Sequence, residues 1–218
     1  MIDLHTHTIL SDGVLLPSEL ARRAMVNGYK AIGITDHVDY SNVDTVISGI
    51  VKVAVELNKY WDVIVIPGVE LTHIPIEAFK EFVEYCREKG AKIIIAHGES
   101  PVEPVCPGTN RVAILAGVDI LAHPGYITEE DAVLAAEKGV HLELTTRRGH
   151  STGNKHVLGM AIKAGAKLVL NTDSHGPEDL LTVKKRDIFL ASLTDDVDIV
   201  SQIIKNSQDI VDRIMNSR

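Results

Sequence analysis

Two imidazoles, His5 and His7, stand two residues apart in Ile2-Asp3-Leu4-His5-Thr6-His7, with a carboxylate at Asp12 shortly after. Side chains at i and i+2 of an extended strand point to the same face. Neutral imidazole is a good ligand for zinc, iron or manganese, so the pair is half of a metal site. Further donors follow in Thr35-Asp36-His37, Gly68-Val69-Glu70, Ala96-His97-Gly98, Ala122-His123-Pro124 and Asn171-Thr172-Asp173-Ser174-His175. Six of the ten histidines, together with Glu70 and Asp173, fall at or just past the end of a strand-like run. A single His-x-His occurs by chance; this many imidazole and carboxylate donors in equivalent places point to a polynuclear metal site.

Such donors need a frame that gathers distant segments. One pattern recurs along the chain: a helix-like segment, a glycine, a short apolar run, then polar residues. The glycines are Gly28, Gly90, Gly117, Gly139 and Gly165, each suited to the left-handed position that ends a helix. The runs that follow are 31–34, 92–95, 118–121, 140–144 and 167–170; with 2–5 and 63–69 they make seven candidate strands. Helices are predicted from Pro17-Ser18-Glu19 (Leu20, Ala24 and Met25 inward, Arg22 and Arg23 in water), over 43–60, 76–89 and 129–138, and through the tail after Gly176-Pro177. Near-continuous apolar strands alternating with helices imply a parallel sheet covered on both faces. No linker or low-complexity segment divides the chain, so residues 1–218 read as one α/β domain. In such folds the functional loops lie at the carboxyl ends of the strands, where the donors fall.

A net charge of −8 argues against a dedicated surface for long nucleic acid, although a metal-loaded site is locally positive. Hydrophobic residues make up 45% and aromatics 4%, enough for a large aliphatic core. The two cysteines, Cys86 and Cys106, lack CxxC spacing and fit a reducing compartment. No signal peptide and no bilayer-spanning run is found, so a cytoplasmic protein without a membrane partner is expected; its oligomeric state is left open.

Taken in order, these motifs resemble the PHP (polymerase and histidinol phosphatase) superfamily over most of the chain. The resemblance implies a distorted (βα)7 TIM-like barrel, in agreement with the strand count, and two to three divalent metals. Carried over position by position, His5, His7, Glu70 and Asp173 hold the first ion; Glu70 bridges to a second, completed by His97 and His123; Asp12, His37 and His175 hold the third. Some members carry histidine where this chain has Asp12, and an oxygen donor there favours manganese or iron over zinc. The implied chemistry is attack of a metal-bridging hydroxide on phosphorus, the cations offsetting phosphoryl charge. A small phosphorylated metabolite is the expected partner, with histidinol phosphate one candidate.

Substrate cations are sought outside the donor set. The loop Thr145-Thr146-Arg147-Arg148-Gly149-His150, followed by Lys155 near a helix start at Asn154, combines guanidinium forks, hydroxyls and glycines. Arg147 or Arg148, with Lys155 assisting, is expected to grip the phosphate, and Arg148 to act beside Glu70 and Asp173 in catalysis. His150 is a candidate to protonate a leaving alkoxide, with a surface position as the plainer reading. Glu99 is weighed as a supporting or substrate residue against a solvated one, and Asp36, Asn171 and Ser174 as supports for neighbouring ligands. His73, His141 and His156 receive no role. Competing readings are a nucleotide phosphodiesterase or exonuclease, an amidohydrolase-type hydrolase, and a non-catalytic metal-binding scaffold.

Overall fold

The apolar runs pair side by side, all parallel. A computed structural model describes residues 1–216. Its elements are β1 (Ile2–Asp3), α1 (Pro17–Val26), β2 (Ala31–Ile34), β3 (His37–Val38), α2 (Val43–Tyr60), β4 (Ile64–Leu71), α3 (Phe79–Glu88), β5 (Ile93–His97), α4 (Thr109–Ala116), β6 (Ile120–Ala122), α5 (Glu129–Lys138), β7 (His141–Thr145), α6 (Asn154–Ala164), β8 (Leu168–Asn171), α7 (Val183–Leu193) and α8 (Val197–Asn216). The strand order is β1-β2-β4-β5-β6-β7-β8, the seven-stranded barrel the sequence implies. The short β3 is an addition. It pairs His37 with Glu70 in the register that β2 begins by pairing Ala31 with Ile64, so β2 and β3 are one strand interrupted at Thr35-Asp36.

Closure between the first and last strands relies on few backbone bonds. Thr6 bridges Ser174, and the His7 N–H donates to the Ser174 carbonyl at 2.8 Å. Side chains supply the rest: the Asn171 Oδ1 accepts the Leu4 N–H at 2.9 Å, and the buried Asp3 carboxylate accepts the Thr172 hydroxyl at 2.6 Å.

Two apolar layers follow from the pleat. Ile94 and Ala96 of β5 and Leu142 and Leu144 of β7 face the helices, in one outer layer with Leu20, Ala24, Val46 and Ile50. Ile93 and Ile95 face the barrel interior with Leu4, Ala31, Ile66, Ile120, Ala122 and Val169, and α8 shuts the amino end of that interior with Ile210 and Val211. The same alternation that turns Ile93 and Ile95 inward turns His97 inward at the carboxyl end of β5, and Glu70 of β4 likewise.

The five expected helix-ending glycines all adopt positive φ, from 71 to 108°. Helices over 43–60 and 129–138 match the pattern, whereas 76–89 begins as a 3-10 turn, Ile76–Ala78. The tail divides into α7 and α8, because the Asp196 Oδ1 accepts the N–H groups of Asp198 (2.9 Å) and Ile199 (3.2 Å) and so starts a new helix. Among the described residues no helix is long and apolar enough to cross a membrane.

Candidate metal centre

Glu70, fully buried near the end of β4, turns its two oxygens to different neighbours. Oε2 lies 2.7 Å from His37 Nδ1, 3.3 Å from His5 Nε2 and 3.6 Å from His7 Nε2, while Oε1 lies 3.6 Å from His123 Nε2. Asp173 is divided in the same way: Oδ1 stands 3.1 Å from His7 Nε2 and 3.5 Å from His175 Nδ1, and Oδ2 stands 3.8 Å from His123 Nε2. Asp12 reaches across from the β1 loop to His175 Nε2 (3.1 Å) and His37 Nε2 (3.7 Å). His97 groups with His123 and His150. Four overlapping sets, each of three or four donors, have their ligand atoms within 4.8 Å of one another: His5, His7 and Glu70; His5, His123 and Asp173; His7, Asp12, His37 and His175; His97, His123 and His150. All nine donors singled out in the sequence fall in these sets, and His150 joins them.

The pocket's polar atoms are left without partners of their own. His7 Nδ1, both Glu70 oxygens, His123 Nδ1 and Asp173 Oδ1 are buried and make no aligned hydrogen bond. Buried polar groups in folded proteins are ordinarily bonded, and a cluster of orphaned acceptors fits divalent cations. Burial and the adjacent imidazoles His37 and His5 hold His7 well below the usual histidine range; burial and His97 do the same for His123. Both are therefore neutral, the form that ligates metal. Burial raises the Asp173 carboxyl to about 7, although His5 opposes it. For Glu70 burial works in the same direction, but the His5 and His37 rings outweigh it and hold the group well down. Backbone strain concentrates here as well, with φ of +27° at His123 and +53° at Asp173.

Around the donors stand residues the sequence reading passed over. Glu143, buried on β7, takes the His5 Nδ1 at 2.8 Å and the Asn171 amide at 2.9 Å. An acidic residue inside the apolar run Val140-His141-Leu142-Glu143-Leu144 was the available signal. Asn171 therefore meets the His5 ring through Glu143, and not a neighbouring donor such as Asp173 or His175. Glu103, on the loop after β5, lies 3.0 Å from His97 Nε2 and 3.4 Å from His150 Nε2, and no sequence pattern marks it.

The remaining candidates lie in varied surroundings. His150 is buried, not on the surface, with its ring 4.3 Å from that of His123. Asp36 does not hold the His37 ring; it accepts from the Thr8 N–H and hydroxyl and the Ser11 hydroxyl, fixing the loop that carries Asp12, while Thr72 Oγ1 meets His37 Nδ1 at 2.7 Å. Glu99 accepts the Gly108 and Asn110 N–H groups at the start of α4. The Ser174 hydroxyl turns to the Gly176 carbonyl. Arg147 lies 3.4 Å from Asp179, whose Oδ2 accepts the His175 and Gly176 N–H groups, so its guanidinium borders the His175 loop. Arg148 and Lys155 are exposed. His141 and His156 face backbone carbonyls, as structural residues do. His73 stacks on His97 at 5.9 Å between centroids.

Residues 3–138 match the PHP domain family. An uncharacterized protein of Methanocaldococcus jannaschii is 48% identical over 82% of this chain and 83% of its own. A probable phosphatase of Clostridium acetobutylicum is 27% identical over 96% of this chain and 91% of its own. Among solved structures, a chain of archaeal ribonuclease P with mature tRNA superposes with a TM-score of 0.75 at 19% identity, covering 98% of this chain and 91% of that one. Histidinol phosphate phosphatase from Lactococcus lactis, complexed with zinc, L-histidinol and phosphate, superposes with a TM-score of 0.60 at 17% identity, covering 96% and 93%. At those identities the likeness is one of fold.

Proposed function

The chain belongs to the PHP domain family, and from that premise we propose that it is a metal-dependent phosphoesterase whose substrate is a small phosphomonoester. The observation that carries this reading is the division of Glu70 and Asp173 between imidazole sets, a geometry suited to neighbouring cations sharing a carboxylate. In this reading His5, His7, Glu70 and Asp173 hold one ion, Glu70, His97 and His123 a second, and Asp12, His37 and His175 a third, with residues 1–218 working as one unit. Bound cations acidify water and offset the charge that gathers on phosphoryl oxygens.

The chain's own groups do the rest. Glu143 fixes the His5 ring so that Nε2 faces the pocket, a support that commonly governs metal affinity. Arg147, beside the His175 loop, is placed to exchange Asp179 for a substrate phosphate, and exposed Arg148 and Lys155 extend the positive rim. The oxygen donor at Asp12 supports manganese or iron in the third position, with zinc in the more imidazole-rich ones. An overall charge of −8 supports a small metabolite over a long nucleic acid.

The test is metal analysis of the purified protein, together with a panel of phosphorylated metabolites that includes histidinol phosphate and an aryl phosphodiester. Release of inorganic phosphate from a monoester, abolished by chelation and restored by added manganese, iron or zinc, is the expected result. Turnover of the diester alone overturns the monoester assignment. Arg147→Ala and Arg148→Ala each leaving kcat/KM unchanged removes the arginine clamp.

A further inference from the structure

A cavity of about 400 Å³ opens between α7 and α8, beside the starts of β1 and β2, and none of the metal donors lines it. Ile2 of β1 and Leu170 of β8, the two strands of the closing seam, contribute to it. From α8 come Ser201, Ile204, Lys205 and Gln208, whose spacing of three and four puts them on one helical face. Arg186 and Leu190, four apart on α7, line it as well, and so does Lys30 just before β2. Three lining residues, Lys30, Arg186 and Lys205, are basic and none is acidic, in a chain with 30 acidic and 22 basic residues. Burial, and then the Arg186 and Lys30 charges, hold the Met1 amino group below its ordinary value, so these two cations act on the same place. Asp187 Oδ1 takes the Arg186 Nε and Nη2 at 2.9 and 2.8 Å, and Lys205 lies 4.0 Å from Asp209; neither acid lines the cavity. Among the described residues the Arg186 Nη1 and the Lys30 ammonium have no hydrogen-bond or ion-pair partner, although the Arg186 side chain is only 19% exposed.

We propose that this cavity binds a small organic anion, whose carboxylate or phosphate meets Arg186 and Lys30 and whose apolar body lies against Ile2, Leu170, Leu190 and Ile204. The volume is that of a small-molecule pocket, and the walls are apolar with a few polar groups, as such pockets are. Like charges gathered at one place repel, and an anion between them turns that repulsion into attraction. A guanidinium with an uncommitted N–H and an adjacent ammonium are suited to a carboxylate or phosphate oxygen, and apolar surroundings strengthen both contacts. A neutral molecule of the same shape gains the apolar contact alone, and a cation is repelled. The site shares no residue with the metal pocket, so it stands whatever reaction that pocket performs.

The experiment is calorimetric titration of the full chain with octanoate and with hexyl phosphate, beside octanol, octylammonium and inorganic phosphate. Each titration is run on the protein as purified and after chelation, which tells this cavity from the metal pocket. Saturable binding of octanoate or hexyl phosphate that survives chelation is expected, with the three controls about 10-fold weaker or more; the tighter of the two anions names the head group. Arg186→Gln and Lys30→Gln each weaken that binding by about 5-fold or more, the loss of one charge-assisted contact. Ser201→Trp fills the cavity and abolishes binding, while metal content stays at the wild-type level in all three variants. Circular dichroism checks each fold, and the exposed Lys30 position carries the charge test if Arg186→Gln does not fold. The proposal is overturned if neither anion saturates below about 10 mM, if octanol or inorganic phosphate binds as tightly, or if binding disappears on chelation. Wild-type affinity in the Lys30 and Ser201 variants overturns it as well.

Discussion

Glu70 offers three imidazoles one oxygen and a fourth imidazole the other, an arrangement that an amide cannot reproduce. Glu70→Gln keeps the volume and removes the charge, so kcat/KM falls by about 10^3-fold or more and elemental analysis finds fewer ions per chain; full activity with undiminished metal content would contradict the shared-carboxylate reading. Glu143→Gln acts at one remove. It frees the His5 ring, and the expected outcome is a 10- to 100-fold weaker cation affinity by calorimetry with the fold retained. A third prediction concerns His141, which burial holds down at about 4. An unfolded histidine titrates near ~6.5, so between the two values the unfolded chain binds more protons. The stability His141 contributes is whole above pH ~6.5 and is lost as pH falls toward ~4. Urea denaturation of the metal-free protein and its His141→Gln variant should show a difference that shrinks across that window; a constant difference sinks the idea. Eight of the nine donors were legible because each falls at or just past an apolar, strand-like run, and Asp12 because the ordered motifs resemble a known family. Glu103 and the burial of His150 were not, because loops far apart in sequence bring them together.

At the scale of the elements, the site depends on how closely two strand ends approach. The Gly98 N–H donates to the Ala122 carbonyl at 3.0 Å, and a Cβ on Gly98 would lie 2.3 Å from that oxygen and 2.8 Å from the Pro124 Cα. Gly98→Ala must push β5 from β6 and separate His97 from His123. The expected cost is about 1–3 kcal/mol in urea denaturation, accompanied by weaker cation binding. Wild-type stability and affinity in that variant would show the contact to be slack. The repeated glycine-then-apolar-run pattern was enough to read seven strands and most helices, because each glycine ends a helix locally. The break that creates β3 was hidden, since the side chains of Thr35 and Asp36 turn to the β1 loop: Thr35 Oγ1 accepts the Thr6 N–H and the Asp36 carboxylate the Thr8 N–H. The start of α8 depends on Asp196 alone, a single-residue signal within a long amphipathic tail.

Across the whole molecule the barrel is apolar at its amino end, under α8, and polar at its carboxyl end. The metal pocket straddles the seam between β1 and β8, with His5 and His7 on one side and Asp173 and His175 on the other. A cation shared across that seam binds the folded state alone. Loading at 100 times Kd should add about 2.7 kcal/mol of stability. Differential scanning of stripped and loaded protein reads this as a higher Tm, and hydrogen exchange should slow most along β1 and β8; equal curves for the two forms would show the seam to be indifferent to metal. There is also an order of events written into this placement. During translation His5 and His7 emerge long before Asp173 and His175, and β1 has no β8 to close against until then. A growing polypeptide offers its early imidazoles to the cellular milieu without the last carboxylate of their cage, so the pocket that spans both strands forms only once the eighth strand has been made.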